Sequence, residues 1–168
     1  MALFSETFKS MDDLLEHQLK DLYDAEHRIH DALPDVIDAV QCDRLTNELR
    51  KVHTGGERRI SRLDEMFGKL DQPPKRETCE GTKGLLEELS DAVGASGDLE
   101  VRDAAIIASF QRVAHYQIAG YGSARNIAQR AGNRYVADLC QQSLDEAYEI
   151  DRGLTDVAVA AVNPAAAV

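Results

Sequence analysis

The sequence predicts an all-α domain: four long helices in two hairpins, joined by a long crossover that carries a short helix of its own. Three observations carry this. Apolar residues return every three or four positions along four stretches of the chain. No stretch shows the β-branched alternation, bounded by turn residues, that marks a strand. The breaks between stretches hold Gly, Pro and Asn at the places where helices stop. At 168 residues the chain reads as one domain, large enough to bury a core without disulfides or a structural metal.

The first helix opens at Ser10-Met-Asp-Asp13, a capping-box variant in which a hydroxyl accepts an orphan amide proton and an acid three residues on reaches back. Leu15, Leu19, Leu22, Ala25, Ile29, Leu33, Ile37 and Val40 form its apolar stripe, and Pro34 predicts a kink or short break within it. After Gln41-Cys-Asp43, a connection of antiparallel-hairpin length, the second helix carries Leu45, Leu49, Val52, Ile60, Leu63 and Phe67. Gly55-Gly56 in its middle costs about 2 kcal/mol relative to alanines, so packing or function must compensate. Asp71-Gln-Pro-Pro-Lys-Arg76 forbids helix and begins the crossover, Leu70 to Asp98, with a short amphipathic segment at Leu85 to Val93.

The third helix runs from Leu99 to Arg130, with Ala104, Ile107, Ala108, Gln111, His115, Ile118 and Gly122 on one stripe, and Ala131-Gly132-Asn133 stops it. Small residues Ala119, Gly120 and Gly122 let a neighbouring backbone approach. The fourth helix, Tyr135 to Ala161, presents Val136, Leu139, Ser143, Ala147, Ile150, Leu154 and Val157. The domain is expected to span residues 1–162, with a disordered tail at 163–168. Two hairpins with a long crossover are the connectivity of a ferritin-like four-helix bundle, in contrast to an up-down bundle with short loops throughout.

Charge narrows the function classes. Nineteen Lys and Arg stand against 30 Asp and Glu, a formal charge of −11, which repels nucleic acid and anionic membrane surfaces. Cys42, Cys79 and Cys140 form no C-x-x-C or Cys/His cluster, so no disulfide partner or zinc site is signalled. Met1 to Phe8 lack the basic and apolar blocks of a signal peptide, and no apolar run reaches membrane-spanning length. The expectation is a cytoplasmic protein.

A bundle of this kind can hold metal ions between its helices, using carboxylates and imidazoles three or four residues apart on one helix face. No E-x-x-H occurs. Inward or flanking candidates are Glu26 on the first helix, His53 and Glu57 on the second, His115 on the third and Glu146 on the fourth. The ordinary alternatives are that each His is a hydrogen-bonded core residue and that Glu26 pairs with Arg28, Arg50 or a buried His.

The third helix, Val101-Arg-Asp-Ala-Ala-Ile-Ile-Ala108 with Gln111-Arg-Val-Ala-His-Tyr-Gln-Ile-Ala-Gly-Tyr-Gly122, resembles the YciE/YciF family of bacterial ferritin-like stress proteins. Asp21-Leu-Tyr-Asp-Ala-Glu26, Ala32-Leu-Pro34, Cys79 with Gly84-Leu-Leu-Glu-Glu88, and Leu144-Asp-Glu146 extend the resemblance over nearly the whole chain. It implies a ferritin-like fold, a homodimer, a stress-response role and a di-iron ligand set. Glu26, His115 and Glu146 match that set. Ala114 and Gln117 stand where the family's V-E-H-Y-E pattern has glutamates, and Ala147 where its L-D-E-E pattern has a second acid. The H-x-x-E-T element falls on Val52-His-Thr-Gly-Gly56 and loses its His and Glu.

With so few anionic ligands, one iron or other divalent ion fits better than two, and ferroxidase activity is expected to be weak or absent. The resulting expectation is a degenerate metal site of Glu26, His53, Glu57, His115 and Glu146, with no catalytic residue assigned. The alternative is a metal-free helical scaffold or interaction protein.

Overall fold

The structure, a computed structural model, describes residues 7–166. The expectation about a signal peptide rests largely on residues 1–6, which lie outside the described residues, as do 167 and 168 of the expected tail. Helix α1 spans Met11–Ala39, α2 Asp43–Lys69, α3 Glu80–Val93, α4 Leu99–Arg130 and α5 Arg134–Val157; a π-helical turn, Ala158–Val162, and a last turn, α6, Asn163–Ala165, follow.

The ends of these helices are set by local chemistry. Ser10 Oγ accepts from the Asp13 N–H at 3.1 Å, while the Asp13 carboxylate accepts from the Lys9 N–H at 2.8 Å, one residue further back than a capping box requires. Asp98 and Asn133 cap α4 and α5 in the same way, accepting from Val101 and Val136. Gly132, at φ +81°, makes the left-handed turn between them. Helix α1 runs through Pro34 without the expected break, and Pro34 faces solvent. Helix α3 begins at Glu80, ahead of the expected Leu85, because the Cys79 sulfur serves as its cap, accepting from the Thr82 N–H at 3.4 Å. Residues 163–165, expected in a disordered tail, form a helical turn that packs on the π-helical turn and on α4.

Helices α1 and α2 form one hairpin and α4 and α5 the other, with α1 against α4 and α2 against α5; α3 lies on α4 and α1. The core is divided in two. One apolar cluster holds Ile29, Leu33, Leu45, Leu49, Val52, Ile106, Phe110 and Leu154; the other holds Leu15, Leu19, Leu22, Leu63, Phe67, Tyr121, Val136 and Cys140. Each buried aliphatic or aromatic side chain contributes about 1.5–3 kcal/mol.

The order in which each helix meets these clusters fixes its direction. Helices α1 and α5 run one way and α2 and α4 the other, so every adjacent pair is antiparallel. Gly120 lets α4 pack directly against Leu22 of α1. A Cβ there would lie 2.7 Å from Leu22 Cδ2, whereas at Gly122 it would meet Leu144 at an ordinary 4.0 Å.

Two buried aspartates hold the connections. Asp103 on α4 accepts from the Gln41 and Cys42 N–H groups at 3.1 and 2.8 Å and so pins the α1–α2 turn. Asp24 on α1, 3% exposed, accepts from Arg28 Nε at 2.5 Å, Arg76 Nε at 2.9 Å and the Cys79 N–H at 2.9 Å, fastening the crossover to the bundle. Burial pushes the Asp24 pKa up, but the Cys79 amide and the two arginines outweigh it and leave it lowered.

A carboxyl whose folded pKa is depressed stabilises the fold above its unfolded value, and that stability is lost as pH falls through the folded value. The expected outcome is that Asp24→Asn loses less stability than the wild type as pH drops below about 3.9, measured by urea midpoints across the acid range. At neutral pH, Asp24→Ala is expected to cost about 2 kcal/mol.

Candidate functional site at the polar belt

Between the two apolar clusters, each long helix turns polar toward the bundle axis. Glu26 lies four residues after Leu22 and three before Ile29, which places it on the core face of α1. On α2 the buried residues include Leu45, Leu49, Val52, Gly56, Arg59, Leu63 and Met66 at alternating steps of four and three, so Arg59 occupies a core position. Gln117 and Tyr121 come from α4, and Ser143 and Glu146 from α5.

Arg59 is the centre of this belt. Its side chain is 2% exposed and that of Glu26 is 1% exposed. Arg59 Nε donates to both Glu26 carboxylate oxygens, at 3.1 Å each. Glu26 Oε1 also accepts from Gln117 Nε2 at 2.7 Å and from the Tyr121 hydroxyl at 2.9 Å. Arg59 Nη1 reaches Glu146 Oε2 at 3.5 Å and Nη2 reaches the Val52 carbonyl at 3.5 Å. Arg62 closes the outer side, donating from Nη2 to Glu146 Oε1 at 2.6 Å and from Nη1 to Ser143 Oγ at 2.7 Å. Two carboxylates and two guanidinium groups thus balance in charge.

Gly55 and Gly56 provide the room for this arrangement. A Cβ at Gly55 would lie 3.0 Å from Arg59 Nη1, and one at Gly56 would lie 3.2 Å from His30 Nδ1 and 3.8 Å from Arg59 Nη2. The helix-weakening glycine pair is compensated by a guanidinium lying against it.

Burial works against the charge of Arg59, but the carboxylates of Glu26 and Glu146 outweigh it and raise its pKa further. Burial and the Glu26 charge together push the Tyr121 hydroxyl far up, so it stays a neutral donor. A cleft of about 150 Å³ between α2 and α5, walled by Glu48, Lys51, Arg58 and Glu149, leads in to Arg59 and Glu146.

The five residues predicted as metal ligands are not brought together. Glu26 and Glu146 face each other across Arg59. His53 is half-buried and stacks on His30 of α1, with ring centroids 4.1 Å apart and planes 7° apart. Glu57 is exposed on the outer face of α2 beside Arg58 and Ser61. His115 is 65% exposed and its Nε2 lies 3.2 Å from Asp151 Oδ1 on the surface between α4 and α5. Among the described residues, no group of three or more His, Cys, Asp or Glu side chains is placed to hold a metal ion. The donor chemistry gives the reason. Both inward carboxylates are engaged by a permanently charged guanidinium, and a divalent ion between them would meet that charge at contact distance. An iron ion does not fit this centre.

Arg59 was not among the predicted residues. The signal lay in the spacing: it falls seven residues after Val52 and four before Leu63, whereas the neighbouring Ile60, read as the apolar member of the stripe, is only half-buried.

Comparison with known proteins agrees with the fold. Residues 10–167 match a family described as Domain of unknown function (DUF892). Protein YciF of Escherichia coli (strain K12) is 33% identical over 156 residues, covering 92% of this chain and 94% of that protein. The crystal structure of the E. coli stress protein YciF superposes with a TM-score of 0.89 at 33% identity, over 93% of this chain and 99% of that one. YcfI from Rhodopseudomonas palustris, for which a structural role has been suggested, gives 0.87 at 35% identity, over 91% and 98%. A protein from Xanthomonas campestris shares the fold alone, with a TM-score of 0.72 at 17% identity.

Removing one partner of a buried ion pair strands the other charge, whereas replacing both by apolar groups does not. Glu26→Leu is therefore expected to lower unfolding free energy by about 3–5 kcal/mol, and Glu26→Leu combined with Arg59→Met to recover most of that loss, measured by urea denaturation.

Proposed function

Because the chain belongs to the DUF892 family and is related to E. coli YciF across nearly its whole length, we propose that it is a metal-independent structural protein of a bacterial stress response. The stress-response part comes from the E. coli relative, which is described as a stress protein. The metal-independent part is carried by one observation: the Arg59 guanidinium lies between Glu26 and Glu146, in the charge-compensating position that a bound cation would need. The suggested structural role of the R. palustris relative supports the same reading. No helix among the described residues is long and apolar enough to cross a membrane, and action as a bundle in aqueous surroundings accords with the formal charge of −11.

The competing reading, a single intra-bundle iron or other divalent ion with weak ferroxidase activity, requires Glu26 and Glu146 to be free of arginine. Ligation by His115 would also require that side chain to leave the surface.

Elemental analysis of protein purified without chelator, before and after anaerobic incubation with ferrous iron, is expected to find no stoichiometric metal. The thermal midpoint should be unchanged by chelator. One ion per chain that disappears in Glu26→Ala would overturn the metal-independent reading. Quantification of the protein in cells before and after osmotic or oxidative challenge is expected to show accumulation, and an unchanged level would overturn the stress assignment.

A further inference from the structure

We infer that the belt is a cation site with a tethered occupant, and that the space under Arg59 is built for a guanidinium-class cation. Three features point to this chemistry. The carboxylates are arranged around a planar fork: Nε faces both oxygens of Glu26 while Nη1 faces Glu146 on a different helix. The floor is glycine backbone, where a Cβ at Gly55 would press to 3.0 Å from Nη1. The belt also holds unpartnered polar atoms. Gln117 is fully buried, yet its Oε1 has no hydrogen-bond partner, and His30 Nδ1, beside Gly56, is likewise buried without one. Each is a buried polar atom left without a partner on a residue that borders the belt, Gln117 through its bond to Glu26 and His30 beside Gly56.

An entry path exists as well, since the α2–α5 cleft ends at Arg59, Gly55 and Glu146. Cutting Arg59 back to alanine leaves Glu26, held by Gln117 Nε2 and the Tyr121 hydroxyl, and Glu146 around a space open to that cleft. A free alkylguanidinium entering there restores the charge balance and the Nε and Nη1 contacts. A strongly hydrated divalent ion finds two carboxylates, one of them already held by Arg62, and too few further anionic ligands.

This inference rests on the metal-independent reading, but the two fail separately: stoichiometric metal in the wild type sinks that reading, whereas the experiment here uses an organic cation on a variant. Arg59→Ala is titrated with low-millimolar ethylguanidinium, with urea as the neutral planar analogue, and separately with Mn²⁺. Arg59→Lys and wild type are run alongside. The expected result is that ethylguanidinium raises the thermal midpoint of Arg59→Ala by about 5 °C or more near a hundredfold excess over its dissociation constant. Wild type and Arg59→Lys should not respond, nor should Arg59→Ala to urea.

If Arg59→Ala is unfolded alone, the readout becomes recovery of helical circular dichroism on adding ethylguanidinium. No response of the variant, an equal response of the wild type, or stabilisation by Mn²⁺ without stabilisation by ethylguanidinium would each overturn the inference.

Discussion

A positive charge buried among carboxylates at mid-height fixes how the four long helices meet. Apolar contacts alone specify less: clusters of aliphatic side chains tolerate exchange of one apolar residue for another of similar volume at modest cost. The pair between Glu26 and Arg59 is not permissive. A shift of α1 against α2 by one turn separates a carboxylate from its guanidinium in surroundings with little water, and both then carry their desolvation cost unpaired. Gln117 and Tyr121 bring α4 to the same carboxylate, and Glu146 brings α5 to the same guanidinium. Every long helix is thereby indexed to one polar layer.

The same physics holds the connections. Asp24 and Asp103 are carboxylates inside the fold whose partners are loop backbone amides, with arginines added at Asp24. A loop amide needs an acceptor when it turns away from water, and a charged acceptor is stronger than a neutral one. The crossover and the tight turn between α1 and α2 are therefore part of the bundle's electrostatics, not slack between helices. Glycine at position 120 serves a different purpose, giving Leu22 the space that lets α1 and α4 approach.

Much of the fold was legible in the sequence because it rests on repeating local signals. Ser10 announced the start of α1, Ala131-Gly132-Asn133 announced the break between α4 and α5, and the stripe from Leu15 to Leu33 announced the buried face of α1. The start of α3 was less legible because a cysteine provides the cap. The buried face of α4 was displaced, running through Ile106, Phe110, Val113, Gln117, Tyr121 and Ala124, not through Gln111 and His115. Helix α4 touches α1, α3 and α5, so apolar residues occur on several sides and periodicity has little contrast.

That displacement carried His115 to the surface and Gln117 to the centre. Of the predicted ligands, Glu26 and Glu146 do reach the belt, while the residue between them went unread because arginine is ordinarily a surface residue. Its counterpart, the Gly55-Gly56 weakness, was visible without its cause.

Arg59 also sets the electronic character of this layer. A guanidinium contributes charge and directional N–H groups, but it has no second oxidation state and no vacant orbital at which oxygen or peroxide can bind. The organising cation of the bundle is accordingly inert to electron transfer. It is supplied in one copy with every polypeptide, so assembly of the layer is independent of nutrient uptake and of any loading machinery.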